Sequence, residues 1–169
     1  MHQPKLPEPW LRGTLTEVPP VQRAVLHALE LAKEDLQHWC GDLSDEELSA
    51  RPGGIAPVAF HLRHIVGSTD RLLTYAEGNA LSTEQIAVMK AESDAHSTRA
   101  ALFEELDRHW ESTAARVRSF TSEQLHEARF VGRQQMPTTV AGLLVHVADH
   151  TMRHVGQAIT TAKIVKSAR

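Results

Sequence analysis

Val140-Ala-Gly-Leu-Leu-Val-His-Val-Ala-Asp-His150-Thr-Met-Arg-His154-Val-Gly-Gln157 is the stretch on which the fold turns. Its apolar residues recur every three or four positions, the period of an amphipathic helix, and the pattern continues to Lys166. The expected helix runs from roughly Thr139 to Lys166, with Thr138 as its cap. At about 100° per residue, Val140, Leu143, Leu144, Val147, Ala158 and Ala162 share an arc of roughly 100°. His154 falls inside that arc, about 20° from Leu143, and His150 lies about 20° to the other side of Leu143. Residues four apart share a helix face, so these two imidazoles can grip one divalent cation. His146 stands about 80° from His154 and suits an outer, orienting position.

A third ligand must come from another helix. Pro57-Val-Ala-Phe-His-Leu-Arg-His64 opens a second helical segment, expected from Pro57 to about Glu77, with Val58, Leu62, Ile65, Leu72, Leu73 and Ala76 inward. His64 is followed on its own face by Gly67 and Ser68, which leave room beside its ring. His61 lies nearly on the same side, and spacing alone does not exclude it. Burying three imidazoles without a metal would demand three sets of hydrogen-bond partners. Three His ligands with one open position are the pattern of a catalytic site, and imidazole suits Zn, Ni, Fe or Cu alike.

Two more long helices complete the set. Val21, Val25, Ala28, Leu29, Ala32, Leu36 and Trp39 mark a first helix from Pro20 that Gly41 ends. Leu102, Leu106, Trp110, Thr113, Val117 and Phe120 mark a third, from about Thr98 to Phe120. Ser44 to Glu47 and Ser82 to Gln85 match capping boxes, each opening a short helical piece, and Thr121 to Gln124 caps another brief turn. Residues 130–136 fit either a small hairpin or a plain loop. The fold class is therefore all-α, a four-helix bundle with short helical pieces in its loops. Residues 1–19 read as an extended, proline-rich arm and 20–169 as a single domain. Trp10, Trp39 and Trp110 are expected in a core or an interface.

Composition narrows the function. The chain has 169 residues, a net charge of −3 and scattered Lys and Arg, so no basic stripe marks a nucleic-acid surface. The longest apolar run, Val140 to Val145, is far short of the roughly 20 residues a membrane span needs. Cys40 is the single cysteine, which permits no intramolecular disulfide and fits a cytoplasmic location. His146 to His150 has the H-x-x-x-H spacing but lacks the Glu of a zinc protease. Glu123-Gln-Leu-His126 is half of a di-iron motif whose other half is missing, and it reads as solvated surface.

His146-Val-Ala-Asp-His150-Thr-Met-Arg-His154-Val-Gly-Gln157, with Pro57 to His64 before it, resembles the DinB/YfiT-like superfamily of metal-binding four-helix bundles. The resemblance extends over most of residues 20–166. It implies His64, His150 and His154 as the metal triad, a long crossover between the second and third helices, and a homodimer. Characterised relatives include transferases that use bacillithiol, mycothiol or glutathione, and a mycothiol-dependent maleylpyruvate isomerase. The expected activity is a metal-dependent S-transferase in which Zn²⁺ or Ni²⁺ activates a small thiol toward an electrophile. His146 and Gln157 are candidates to orient ligands or substrate, and Arg71 and Arg153 to clamp a carboxylate at the cavity rim. The alternatives are a metal-dependent hydrolase and a non-catalytic, metal-binding stress-response protein.

Overall fold

A computed structural model describes residues 6–93 and 97–169. Six helices form in chain order: α1 Pro20–Cys40, α2 Asp45–Ser49, α3 Val58–Ala76, α4 Thr83–Ala91, α5 Arg99–Ser119 and α6 Val140–Lys166. Two short strands, β1 Ala128–Val131 and β2 Met136–Thr139, pair antiparallel as a hairpin with Val131 opposite Met136. The four long helices are the ones that periodicity predicts, and both capping boxes close, at Ser44 and at Ser82. Thr98 caps α5. The cap of α6 is Thr139 rather than Thr138: the Thr139 hydroxyl accepts from the Gly142 amide at 3.1 Å. Thr138 is instead paired with Arg129 in the hairpin, which carries extended backbone up to the first helical residue.

α6 packs along both α1 and α3, and α5 closes the opposite side against the same two helices. Their directions follow from who meets whom. Gln22 at the start of α1 donates to the Phe120 carbonyl just past α5 at 2.8 Å, and Lys33 pairs with Asp107 at 2.8 Å, so α1 and α5 are antiparallel. Arg63 lies within electrostatic reach of Glu105, and Arg116 bonds Asp70 and Glu77, so α3 and α5 run the same way. Thr161 donates to the Ala56 carbonyl while His154 meets His61, so α6 opposes α3. The order is up, down, down, up. Two successive parallel helices require a connection that returns the full length of the bundle, and α4 belongs to it. This is the long crossover that the family resemblance implies.

The core between these rods is aliphatic, with Leu36, Leu62, Ile65, Leu73, Leu144 and Val147 each at 1 % exposure or less. Trp110 joins it and Trp39 packs at its edge, but Trp10 is 62 % exposed and donates its indole N–H to Glu8. The arm is nonetheless tied down: a short turn at Pro9–Leu11 sits beside α1, and Arg12 forks onto Glu34 at 2.6 and 2.8 Å. Gly41 ends α1 with φ −67°, not in the left-handed region, and a Cβ there would meet the Gln37 carbonyl at 2.5 Å.

Two outcomes test this packing. Arg116 spans α3 with bonds to Asp70, Thr74 and Glu77, so Arg116→Ala is expected to cost roughly 1.5–3 kcal/mol in urea unfolding. Arg116→Lys should not restore it, because an ammonium cannot fork. His109 on α5 faces the same network, and burial holds its imidazole down at about 4, with Asp70 opposing and Arg116 adding to the shift. The folded state then binds fewer protons than the unfolded one between about pH 6.5 and 4, so stability falls as pH drops through that window. Unfolding curves across it should be flatter for His109→Gln than for the native chain.

Candidate metal centre

Antiparallel contact of α3 with α6 brings four histidines to one place. His64 Nε2 lies 3.0 Å from His150 Nε2, and His61 Nδ1 lies 3.0 Å from His154 Nδ1. The ring centroids of His64 and His150 are 4.4 and 4.6 Å from that of His154. Among the described residues, the group whose donor atoms all fall within 4.8 Å of one another is His64, His150 and His154. These are the three that the helical angles favour. Phe60, one turn before His64, stacks on its ring at 5.4 Å.

Three of the four imidazoles, His61, His150 and His154, are held toward the neutral form. Burial, reinforced by the neighbouring His64 and by His150 and His61, pushes His154 down to about 4. Burial and His64 hold His61 at about 4, and His150 is lowered for the same reasons. A neutral imidazole is the form that ligates a metal, so burial favours the ligating form of His150 and His154.

A carboxylate that the sequence does not announce sits behind the triad. Glu92, at the C-terminal end of α4, is 5 % exposed. Its Oε2 accepts from His64 Nδ1 at 2.6 Å and its Oε1 from Arg71 Nη1 at 2.6 Å. Burial pushes the Glu92 carboxyl up, but the bonds from His64 and Arg71 outweigh it and hold its pKa below the ordinary value. With Nδ1–H committed to an ionised carboxylate, His64 presents the lone pair of Nε2 to the other rings. His154 meets His61 through Nδ1, so Nε2 is the nitrogen outside that contact. His150 Nδ1 is buried with no hydrogen-bond partner among the described residues. Three imidazoles, one of them backed by a carboxylate, form a donor set that fits a divalent cation.

The remaining predicted residues divide. Arg71 does not line the cavity beside the triad; it is buried at 8 %, clamps a carboxylate of its own chain and borders a separate cavity of about 310 Å³ with Gly67 and Asp70. Seven positions after His64, it lies on the same face of α3 two turns on and reaches the other oxygen of Glu92. Arg153 is exposed and pairs with Asp149 at 2.7 Å. Arg153 and Gln157 line a cavity of about 510 Å³ together with His61, Ile55 and Thr160, so both stand beside the triad. His146 is exposed, with its ring 5.3 Å from that of His150 and its Nδ1 3.6 Å from Asp149. It therefore neighbours the triad without entering it. Glu123 and His126 are on the surface, as expected.

A family model of the DinB superfamily matches residues 28–158, a span that contains all four histidines. The chain belongs to the DinB superfamily. Its fold is similar to that of a conserved protein from Enterococcus faecalis at a TM-score of 0.72 and 19 % identity, covering 88 % of this chain and 99 % of that one. A protein from Streptococcus pneumoniae is similar at a TM-score of 0.65 and 19 % identity, over 86 % of this chain and 90 % of its own. At that identity the likeness is one of fold. No curated protein matches the chain.

Replacing His150 by Ala should lower Zn²⁺ affinity, measured by chelator competition, by more than the roughly 10–100-fold typical of losing an outer partner. His146→Ala should leave it within a few-fold of the native value. Equal losses for the two variants would mean that His146 is also a ligand.

Proposed function

We propose that this DinB-superfamily protein is a metal-dependent transferase that joins a low-molecular-weight thiol to a small electrophile. The observation that carries this reading is the convergence of His64, His150 and His154 beside a cavity lined by His61, Arg153 and Gln157. The metal is Zn²⁺ or Ni²⁺, and when bound it supplies the Lewis acidity that lowers the pKa of a thiol. Three protein ligands leave a position for an exogenous one.

The chain's own residues bind and orient. Gln157 offers both an amide donor and an acceptor to a polar substrate, and Arg153 places a guanidinium where a substrate carboxylate can meet it. Ile55 gives the cavity an apolar wall. His61 meets Nδ1 of His154 and leaves its Nε2 on the side away from that contact. A hydrolytic reading is less well supported, because it needs a carboxylate free to take a proton from water. The two carboxylates that touch this site are both engaged, Glu92 by His64 and Arg71, and Asp149 by Arg153. Among the described residues no helix is long and apolar enough to cross a membrane. A homodimer in the cytoplasm, meeting diffusible small molecules, is the setting that the family resemblance suggests.

The test sets bacillithiol, mycothiol and glutathione with small electrophiles beside a panel of esters and amides, using Zn²⁺- and Ni²⁺-loaded protein. Thiol consumption that chelation stops and His64→Ala abolishes is the expected result. Hydrolysis without thiol transfer would replace this reading with the hydrolytic one. Purified protein that takes up no stoichiometric metal after reconstitution would end both and leave a metal-free binding protein.

A further inference from the structure

Helix α4 has nine residues, none of them buried, so apolar burial does little to hold it on the bundle. Polar contacts do that work. At its start, Gln85 Nε2 donates to Asp70 at 2.6 Å and to Thr74 at 2.9 Å, both on α3. At its end, Glu92 plunges into a slot cut along one face of α3. Arg63 Nε donates to the Glu92 carbonyl at 3.1 Å, and His64 and Arg71 take one carboxylate oxygen each. Gly67, midway between them, is the floor of the slot. A Cβ at that position would lie 2.3 Å from Glu92 Oε1 and 2.7 Å from Arg71 Nη1. The α3 sequence His64, Gly67, Arg71 is thus a donor, a gap and a donor on one helical face, shaped for a single carboxylate.

We propose that Glu92 is a positioning residue of the metal centre and that its bond to His64 couples the docking of α4 to occupation of the triad. This inference rests on the metal reading above and adds to it. Glu92 touches neither the cavity nor the other two ligands; it acts through His64. The bond to an ionised carboxylate fixes the His64 tautomer and raises the basicity of the nitrogen that remains. Linkage makes the effect reciprocal. If the docked state binds metal more tightly than the undocked state by some factor, metal favours docking by that same factor.

Zn²⁺ affinity by chelator competition and Co²⁺ absorption in the visible are measured on the full chain, the native protein beside Glu92→Gln and Gly67→Ala. Amide hydrogen exchange of residues 84–91 is followed with and without Zn²⁺. Glu92→Gln should weaken Zn²⁺ binding about 10–100-fold and shift the Co²⁺ bands, which a residue with a merely structural role would leave in place. Gly67→Ala keeps both Glu92 and Arg71 and favours helix, yet it should expel the carboxylate and weaken Zn²⁺ binding in the same direction. In the native chain Zn²⁺ should slow exchange in α4 by the factor lost in Glu92→Gln, roughly 10–100-fold. Native protein that binds no Zn²⁺ or Co²⁺ would overturn the metal reading itself, and this inference with it. Native protein that binds while Glu92→Gln and Gly67→Ala bind equally well would overturn this inference alone. Should Glu92→Gln fail to fold, Gly67→Ala and the native exchange rates decide the matter: α4 exchange indifferent to Zn²⁺ would refute the coupling.

Discussion

α3 and α6 lie against each other in opposite directions because each has an aliphatic stripe with nowhere else to go. Leu62 and Ile65 on one, and Val147, Val155 and Ala158 on the other, are each at most 1 % exposed. At roughly 25 cal/mol per Å² of apolar surface, that contact fixes the rotation of both rods about their axes. The rotation in turn decides where the histidines go. Positions 61 and 64 meet 154 and 150 in the order that antiparallel rods impose, and the imidazoles sit on the edges of the same stripes that drive the packing. A slip of one turn along either helix would separate them by about 5.4 Å and leave four polar rings without partners.

This constraint explains how much could be read from the chain. Long helices with unbroken periodicity, such as α1 and α6, are visible because burial of one face writes itself into every third or fourth residue. The same regularity makes angles on α6 trustworthy, so His150 and His154 separate from His146 before any coordinates exist. Glu92 is different. It belongs to a short helix with no buried face, and its burial depends on a slot in another helix, which leaves no periodic trace near Glu92 itself. Gly67 is legible as room beside His64; the carboxylate that occupies that room is not. Arg71 was legible as a carboxylate clamp; the carboxylate proves to be internal. The hairpin before α6 stayed ambiguous because Pro137 weakens the strand pattern and its turn places Gln135 at φ 52°, where Asn or Gly would be the usual signal.

The polar interior has a cost that the protein manages by pairing. Arg71 and Glu92 neutralise each other within hydrogen-bond distance, and burial together with the neighbouring His64 holds His61, His150 and His154 below the ordinary imidazole value. A buried ion pair is rarely worth more than a well-packed apolar substitute. Its persistence here makes sense as geometry: it sets one ring in one tautomer. Aliphatic side chains in the same volume could fill space without orienting His64.

The triad also keeps time. His64 and His150 are 86 residues apart in the chain, and His61 and His154 are 93 apart. During synthesis α1, α3 and α5 emerge first, with the inner stripes of α1 and α3 still uncovered and half of the imidazole cluster in place. Only when α6 leaves the ribosome and threads between α1 and α3 do the other two rings arrive. Contacts this distant in sequence close late and slowly, so a cation that needs all three nitrogens would discriminate finished molecules from nascent ones, and by mass action would hold them in the finished state.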